Sequence, residues 1–162
     1  LGYQHDFEQM YQWMRQTLSR YGLDVERGEI TGSYCPGDYD LSVGGRKFCG
    51  IAQRRQLKAY AVQAFVVVEG EGGARAGRAR VFYDQAVPEG SHLDYPHVEP
   101  GSTASLQQLL THTKNTMTGE RFVEAMLETV QQQAGSFQEA APPFRHDEVK
   151  ATVEKLRHRY NV

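Results

Sequence analysis

Between positions 6 and 21 the apolar residues Phe7, Met10, Tyr11, Met14, Leu18 and Tyr21 recur mostly three or four apart. That period puts them on one face of a helix. Asp6 is its expected N-cap, and Gly22 its expected stop. Residues 24–30 suit a short strand. The period then changes: Tyr39, Leu41 and Val43 alternate with Asp40 and Ser42, as in a strand. Gly44-Gly45 is a hairpin signal, and residues 46–52 return as the next strand. Residues 59–69 are apolar enough to predict a central strand buried on both faces. The whole of 47–69 therefore reads as an antiparallel meander.

Residues 70–77 (GEGGARAG) read as a flexible connector and lack the GK[ST] ending of a P-loop. Pro88, Pro96 and Pro100 mark 88–101 as loop. The last third turns helical. Ser102 or Thr103 is the expected cap of SLQQLL, and Thr118 the cap of a helix reaching about Gln133. Phe122, Met126 and Val130 form that helix's apolar stripe. Gly135, Pro142 and Pro143 break the pattern over 134–144. A final helix starts near Arg145, with Val149, Val153, Leu156 and Tyr160 as its apolar face. The sum is an α+β chain, a mostly antiparallel sheet flanked by helices.

Composition narrows the function classes. The 162 residues are 40% hydrophobic and 23% charged, which describes a folded globular chain. A chain of this length buries roughly 70% of its unfolded surface and needs no disulfide or metal to fold. Eighteen basic against 20 acidic residues argue against a nucleic-acid partner. The longest apolar run, 64–68, falls far short of the roughly 18 residues of a membrane span. No signal-peptide core is present, so no membrane partner and a cytoplasmic location are expected. The two cysteines, at 35 and 49, form no CxxC and have no histidine nearby. Two reduced thiols and no metal site follow. The chain opens at Leu1 directly into a helical pattern, as a piece of a longer protein would.

The residues that could carry chemistry concentrate in 33–55. Cys35 lies in a Pro-Gly turn, where a thiol is accessible, and a nearby cation would favour its thiolate. Lys47 lies twelve positions on, across the hairpin, where the return strand could bring it close. Spacing alone leaves a solvent-facing lysine as the commoner reading. Cys49 shares the strand face of Lys47 by period-two alternation and reads as a small core residue. Asp38 and Asp40 suit turn and edge chemistry; the sharper alternative is that they orient Lys47 or an incoming amine. His5, His92, His97, His112, His146 and His158 are scattered and form no motif.

At this segment, SYCPGDYDLSVGGRKFCGIAQRR resembles the superfamily of lipoate–protein ligases, octanoyltransferases and biotin ligases. Within it, the chain is most similar to the octanoyl-(glycine-cleavage H protein):protein N-octanoyltransferases, or lipoyl amidotransferases. The motifs fall on Cys35-Pro36-Gly37, on Lys47, and on Gly50 with Gln53-Arg54-Arg55. The resemblance implies a catalytic fold like that of class II aminoacyl-tRNA synthetases and biotin ligases. It implies Cys35 and Lys47 as catalytic residues, Gly50, Ile51, Ala52 and Gln53 as substrate-binding residues, and no cofactor or metal. Family members are longer, and their N-terminal Arg- and Gly-rich motif does not occur here. By this likeness residues 1–162 are the C-terminal portion of one acyltransferase domain, with a sheet-containing core over about 1–101 and a helical segment over about 102–162.

The implied reaction moves an octanoyl or lipoyl group from octanoylated H protein to lysines of 2-oxoacid dehydrogenase lipoyl domains, through a Cys35 thioester. Lys47 would steady the thiolate and polarise the acyl carbonyl, and backbone N–H groups near Gly50 would add donors. Residues 61–67 would line an acyl pocket. Arg54, Arg55, Lys58, Arg75 and Arg78 would form a basic rim for acidic carrier domains. Three alternatives stay open: an octanoyl-acyl-carrier-protein transferase, an ATP-dependent lipoate ligase, and a non-catalytic carrier-binding module.

Overall fold

The fold is taken from a computed structural model, which describes residues 2–57, 59–88, 90–111, 116–134 and 145–160. Helix α1 spans Tyr3–Ser19. Phe7, Met14 and Leu18 are buried along it, and Met10 and Tyr11 pack beside them, as the sequence period requires. Gly22, at φ +80°, ends it. The Leu23 N–H reaches back to the Leu18 carbonyl and the Gly22 N–H to that of Ser19. The cap at the other end differs from expectation. Gly2 is the N-cap, and Asp6 lies within the first turn. Its carboxylate is buried and paired with Arg55.

Four strands follow in the order β1-β2-β3-β4: Glu26–Arg27, Asp40–Val43, Arg46–Gln56 and Ala59–Val66. All pairings are antiparallel. Gly44 and Gly45, at φ +56° and +73°, make the two-residue turn between β2 and β3, the backbone that tight hairpins need. The pairing jumps from Leu41–Cys49 to Ser42–Lys47, which leaves Phe48 as an extra residue in β3. This bulge breaks the two-residue period. Lys47 and Cys49 consequently do not share a face as alternation predicts. Cys49 joins the core with Leu41, whereas Lys47 reaches the Asp40 carboxylate.

β4 is the last strand of the sheet rather than a central one, and every residue in it is half-buried or exposed. Its residues are apolar on both faces for two different reasons. Ala64 and Val66 pack on the core, and Phe65 lies on the opposite face against Tyr34. Past Val66 a different segment completes the sheet. Thr103 bridges Lys47 in parallel, and the Ala104 N–H donates to the Lys47 carbonyl at 3.0 Å. The N–H groups of Leu106 and Gln107 then take the carbonyls of Val67 and Val68.

The glycine-rich connector expected over 70–77 is instead the start of a helix, α2, spanning Gly72–Ala86. Its glycine serves close packing. A Cβ on Gly72 would stand 2.4 Å from the Ala104 Cα, so only glycine lets the helix rest on that backbone. A 3-10 turn at Pro100–Ser102 leads to α3, Leu106–Leu109. The α3 cap is Ser105, not Ser102 or Thr103. Its hydroxyl accepts from the Gln108 N–H at 3.1 Å, and the Gln108 side chain returns to the Ser105 N–H at 3.0 Å.

Helix α4, Gly119–Ala134, begins after Thr118, whose hydroxyl accepts from the Arg121 N–H. Phe122, Ala125 and Thr129 are its buried face. Thr17 of α1 donates to Thr129 at 2.7 Å across the helix pair. One core holds these parts together: Leu18, Leu41, Phe48 and Cys49 pack with Leu106, Leu110, Met117 and Phe122. Helix α5, His146–Tyr160, has no buried residue. The apolar face read from its sequence, Val149, Val153, Leu156 and Tyr160, is exposed. The expected break over 134–144 lies almost wholly outside the described residues.

Candidate active site

Lys47 is among the largest fully buried side chains of the described residues, only 1% exposed. Burying a lysine costs several kcal/mol unless the charge is matched, and here it is matched completely. Nζ lies 2.8 Å from Asp40 Oδ1, and it donates to the Tyr34 carbonyl at 2.9 Å and the Cys35 carbonyl at 2.8 Å. An ammonium has three N–H donors, and each has an acceptor. The rings of Tyr34 and Phe65 cover the charge, 5.6 and 5.7 Å from Nζ. Of the two acidic candidates, Asp40 therefore takes the sharper role of orienting Lys47, while Asp38 stays exposed. The Ser33 hydroxyl donates to the other Asp40 oxygen at 3.3 Å, and the Asp40 N–H takes the Gly37 carbonyl. The loop from Ser33 to Asp40 is thus closed on itself by one carboxylate and one lysine.

Cys35 stands at the crest of this loop, exposed and unpaired. Its φ is +48°, the single left-handed value among the described non-glycine residues. Such a conformation costs of order 1–3 kcal/mol and persists only where the surroundings hold it. The lysine hydrogen bond to the Cys35 carbonyl is such a hold. Cys49, by contrast, is fully buried, and burial pushes its thiol up to about 12. It is a core residue with no thiolate chemistry at neutral pH.

Two tyrosines flank the exposed thiol. Burial raises the pKa of Tyr34, with Cys35 and Asp40 adding and the nearby Arg75 opposing. Burial also raises that of Tyr83, with the charge of Cys35 adding. Sequence reading missed the helix that carries Tyr83, because 70–77 reads as a flexible loop. Thr103, strand-paired with Lys47, carries the one buried side-chain oxygen among the described residues that lacks a hydrogen-bond partner.

The other expected site residues divide between two faces. Gly50 lies under Phe65, where a Cβ would come 2.6 Å from the ring. Its missing side chain lets that ring cover Lys47. Ile51 packs toward the core, and its N–H is spent on the Tyr39 carbonyl at 3.2 Å. Ala52 is exposed. The Gln53 amide donates to Asp6 of α1 at 3.3 Å and accepts from Arg55 at 2.7 Å. Of the basic rim, Arg55 is paired with Asp6 and Arg54, Arg75 and Arg78 are exposed, while Lys58 lies outside the described residues. No group of three metal-ligating side chains occurs among the described residues, and none of their helices is long and apolar enough to cross a membrane.

An accessible thiol in a strained loop, beside a saturated buried cation, is a chemistry that nucleophilic acyl transfer can use. Comparison with known proteins identifies the family of the domain. Residues 1–131 match the lipoyl protein ligase A/B catalytic domain. The octanoyl-[GcvH]:protein N-octanoyltransferase of Geobacillus kaustophilus is 50% identical over 105 residues, 64% of this chain and 37% of that protein. The protein of the same name from Staphylococcus aureus is 42% identical over 108 residues, 66% of this chain and 39% of that one. The chain thus spans well under half the length of these relatives. A crystal structure of lipoate-protein ligase A bound with ATP superposes with a TM-score of 0.62 at 15% identity, over 94% of this chain and 55% of that one. That likeness is one of fold.

Proposed function

The chain belongs to the lipoyl protein ligase A/B catalytic domain family, and from that premise we propose that it serves an octanoyl amidotransferase. Residues 1–162 would be the C-terminal portion of one catalytic domain that takes octanoyl from the H protein and delivers it to lipoyl-domain lysines. The observation that carries the reading is Cys35: exposed, left-handed, and anchored through its own carbonyl to Lys47. The identity to relatives named for transfer from GcvH supports the donor.

The Cys35 sulfur attacks the amide carbonyl of the octanoyl-lysine on the donor. A C–S bond forms, the C–N bond breaks, and the thiol proton ends on the departing lysine amine. A lysine of the acceptor domain then attacks the thioester, forms the new amide, and returns a proton to sulfur. One amide replaces another, so the exchange needs no ATP. Lys47 holds the Cys35 loop in place and sets a positive charge beneath it. Phe65 and Ala61, on one face of β4, contribute to the wall that receives the acyl chain, whose burial is worth about 0.8 kcal/mol per methylene. Gly50, Ile51, Ala52 and Gln53 support that wall from β3. Arg54, Arg75 and Arg78 meet the acidic surface of the carrier domains. Two unpaired thiols suit a cytoplasmic setting.

The test is transfer itself. The full-length protein, given octanoylated H protein and a lipoyl domain without ATP, is expected to add one octanoyl group to the acceptor lysine. Octanoylation that appears only with ATP and free octanoate would contradict the reading and point to a ligase.

A further inference from the structure

We propose that two copies of this chain pair through their C-terminal helices: α5 of each copy packs on the outer face of α4 of the other. The inference stands apart from the transfer reading and starts from two apolar stripes that the fold leaves uncovered. On α5 the stripe is Val149, Val153, Leu156 and Tyr160, each 41–63% exposed. No residue of α5 is buried. Isolated helices of about 15 residues are marginal in water, and an amphipathic helix is held mainly by packing its apolar face. α5 also lies beyond residues 1–131, which match the catalytic-domain family.

α4 carries the counterpart. Its Phe122, Ala125 and Thr129 are buried on the inward side, where Thr129 meets Thr17 of α1. On the outward side Val123 is 54% and Leu127 44% exposed, and the line continues through half-buried Val130 to exposed Ala134. The two stripes share one spacing. Positions 123, 127, 130 and 134, like 149, 153, 156 and 160, step by four, three and four. Alternating steps of four and three are the seam of a packed helix pair.

Charge decides what covers each stripe. Glu120 and Glu124 flank that of α4, whereas Lys150, Arg157 and Arg159 flank that of α5. The α5 acids Asp147, Glu148 and Glu154 lie round the helix, away from its stripe. A seam rimmed by like charges repels its own kind, so α5 does not suit α5, nor α4 another α4; each suits the other. Direction follows from the same charges. The glutamates lie in the first half of α4 and the arginines in the last half of α5. Antiparallel contact brings them together and sets Leu156 against Leu127. Both stripes are open in one and the same chain, so α5 does not lie on its own α4. A second copy offers both surfaces at once. The exchange is reciprocal, closes on a two-fold axis with two identical helix pairs, and leaves neither stripe bare.

Sedimentation equilibrium of the full-length protein at micromolar concentration tests the pairing. The parent is expected to sediment at twice the chain mass, and Leu156→Glu at the mass of one chain. Two charge-reversed proteins complete the test: Glu120→Lys with Glu124→Lys, and Arg157→Glu with Arg159→Glu. Each alone sets like charges along both seams and is expected to be monomeric. Their equimolar mixture matches every seam again and is expected to return to twice the chain mass. Only exchange between copies can do this, and the recovery also shows that both variants are folded. A parent that sediments as one chain, with α5 on its own α4 or on another part of that chain, would overturn the proposal. So would a dimer that Leu156→Glu leaves intact, or a mixture that stays monomeric.

Discussion

At the scale of single residues, the site is organised by a charge that water never touches. Lys47 and Asp40 are both buried, and removing one leaves the other unpaired. Lys47→Met is therefore expected to cost about 3–5 kcal/mol in a denaturant titration, and adding Asp40→Asn to recover a large part of that loss. If the double variant is no more stable than the single, the pair is not the origin of the cost. The other thiol sets a pH dependence. Unfolded, Cys49 ionises near its ordinary value of 9.0; folded, burial pushes it up to about 12. The unfolded state loses its proton first, so the stability this thiol contributes is intact below about 9 and drains away as pH rises through that window. Cys49→Ala is expected to show a shallower alkaline loss than the parent in melts between pH 8 and 11. Cys35 and Lys47 were legible from the sequence through their motif. Cys49 was legible as a core residue, yet its face was not. A one-residue bulge at Phe48 leaves no signature in the apolar pattern, and it inverts the alternation on which that reading depended.

At the scale of elements, strongly periodic stretches were readable and glycine-rich ones were not. α1 and α4 follow their apolar spacing, and the β2–β3 hairpin follows its Gly-Gly pair. α2 was hidden because glycine has two uses, conformational freedom and the absence of a side chain, and local sequence does not distinguish them. Here the second applies, since the partner of Gly72 is Ala104, thirty-two positions away. β4 reads as central from its sequence because both its faces are apolar, whereas one meets the core and the other carries Phe65 over Lys47. The seat of α2 is testable. Gly72→Ala puts a methyl into the Ala104 backbone, which cannot yield as a flexible side chain would. A loss of about 1–3 kcal/mol in thermal or chemical melts is expected. A Gly72→Ala protein as stable as the parent would mean that the helix does not rest there.

At the scale of the whole molecule, one core joins the sheet to the helical segment, and the Cys35 loop is tied to α1 by the Tyr39 ring stacked on Phe7 at 4.7 Å. Leu106 and Leu110, beyond residue 101, share that core with Leu18 and Phe48. Lys47, Asp40, Phe65 and the Cys35 turn make a closed polar knot with the thiol left outside. The account stands or falls on that thiol. The most direct measurement is the intact mass of the full-length protein after incubation with octanoylated H protein, beside Cys35→Ser. An octanoyl adduct on the parent, removed by hydroxylamine and absent from Cys35→Ser, is the predicted result. An unmodified parent that nevertheless transfers octanoyl to the acceptor, or an adduct that survives in Cys35→Ser, would contradict it.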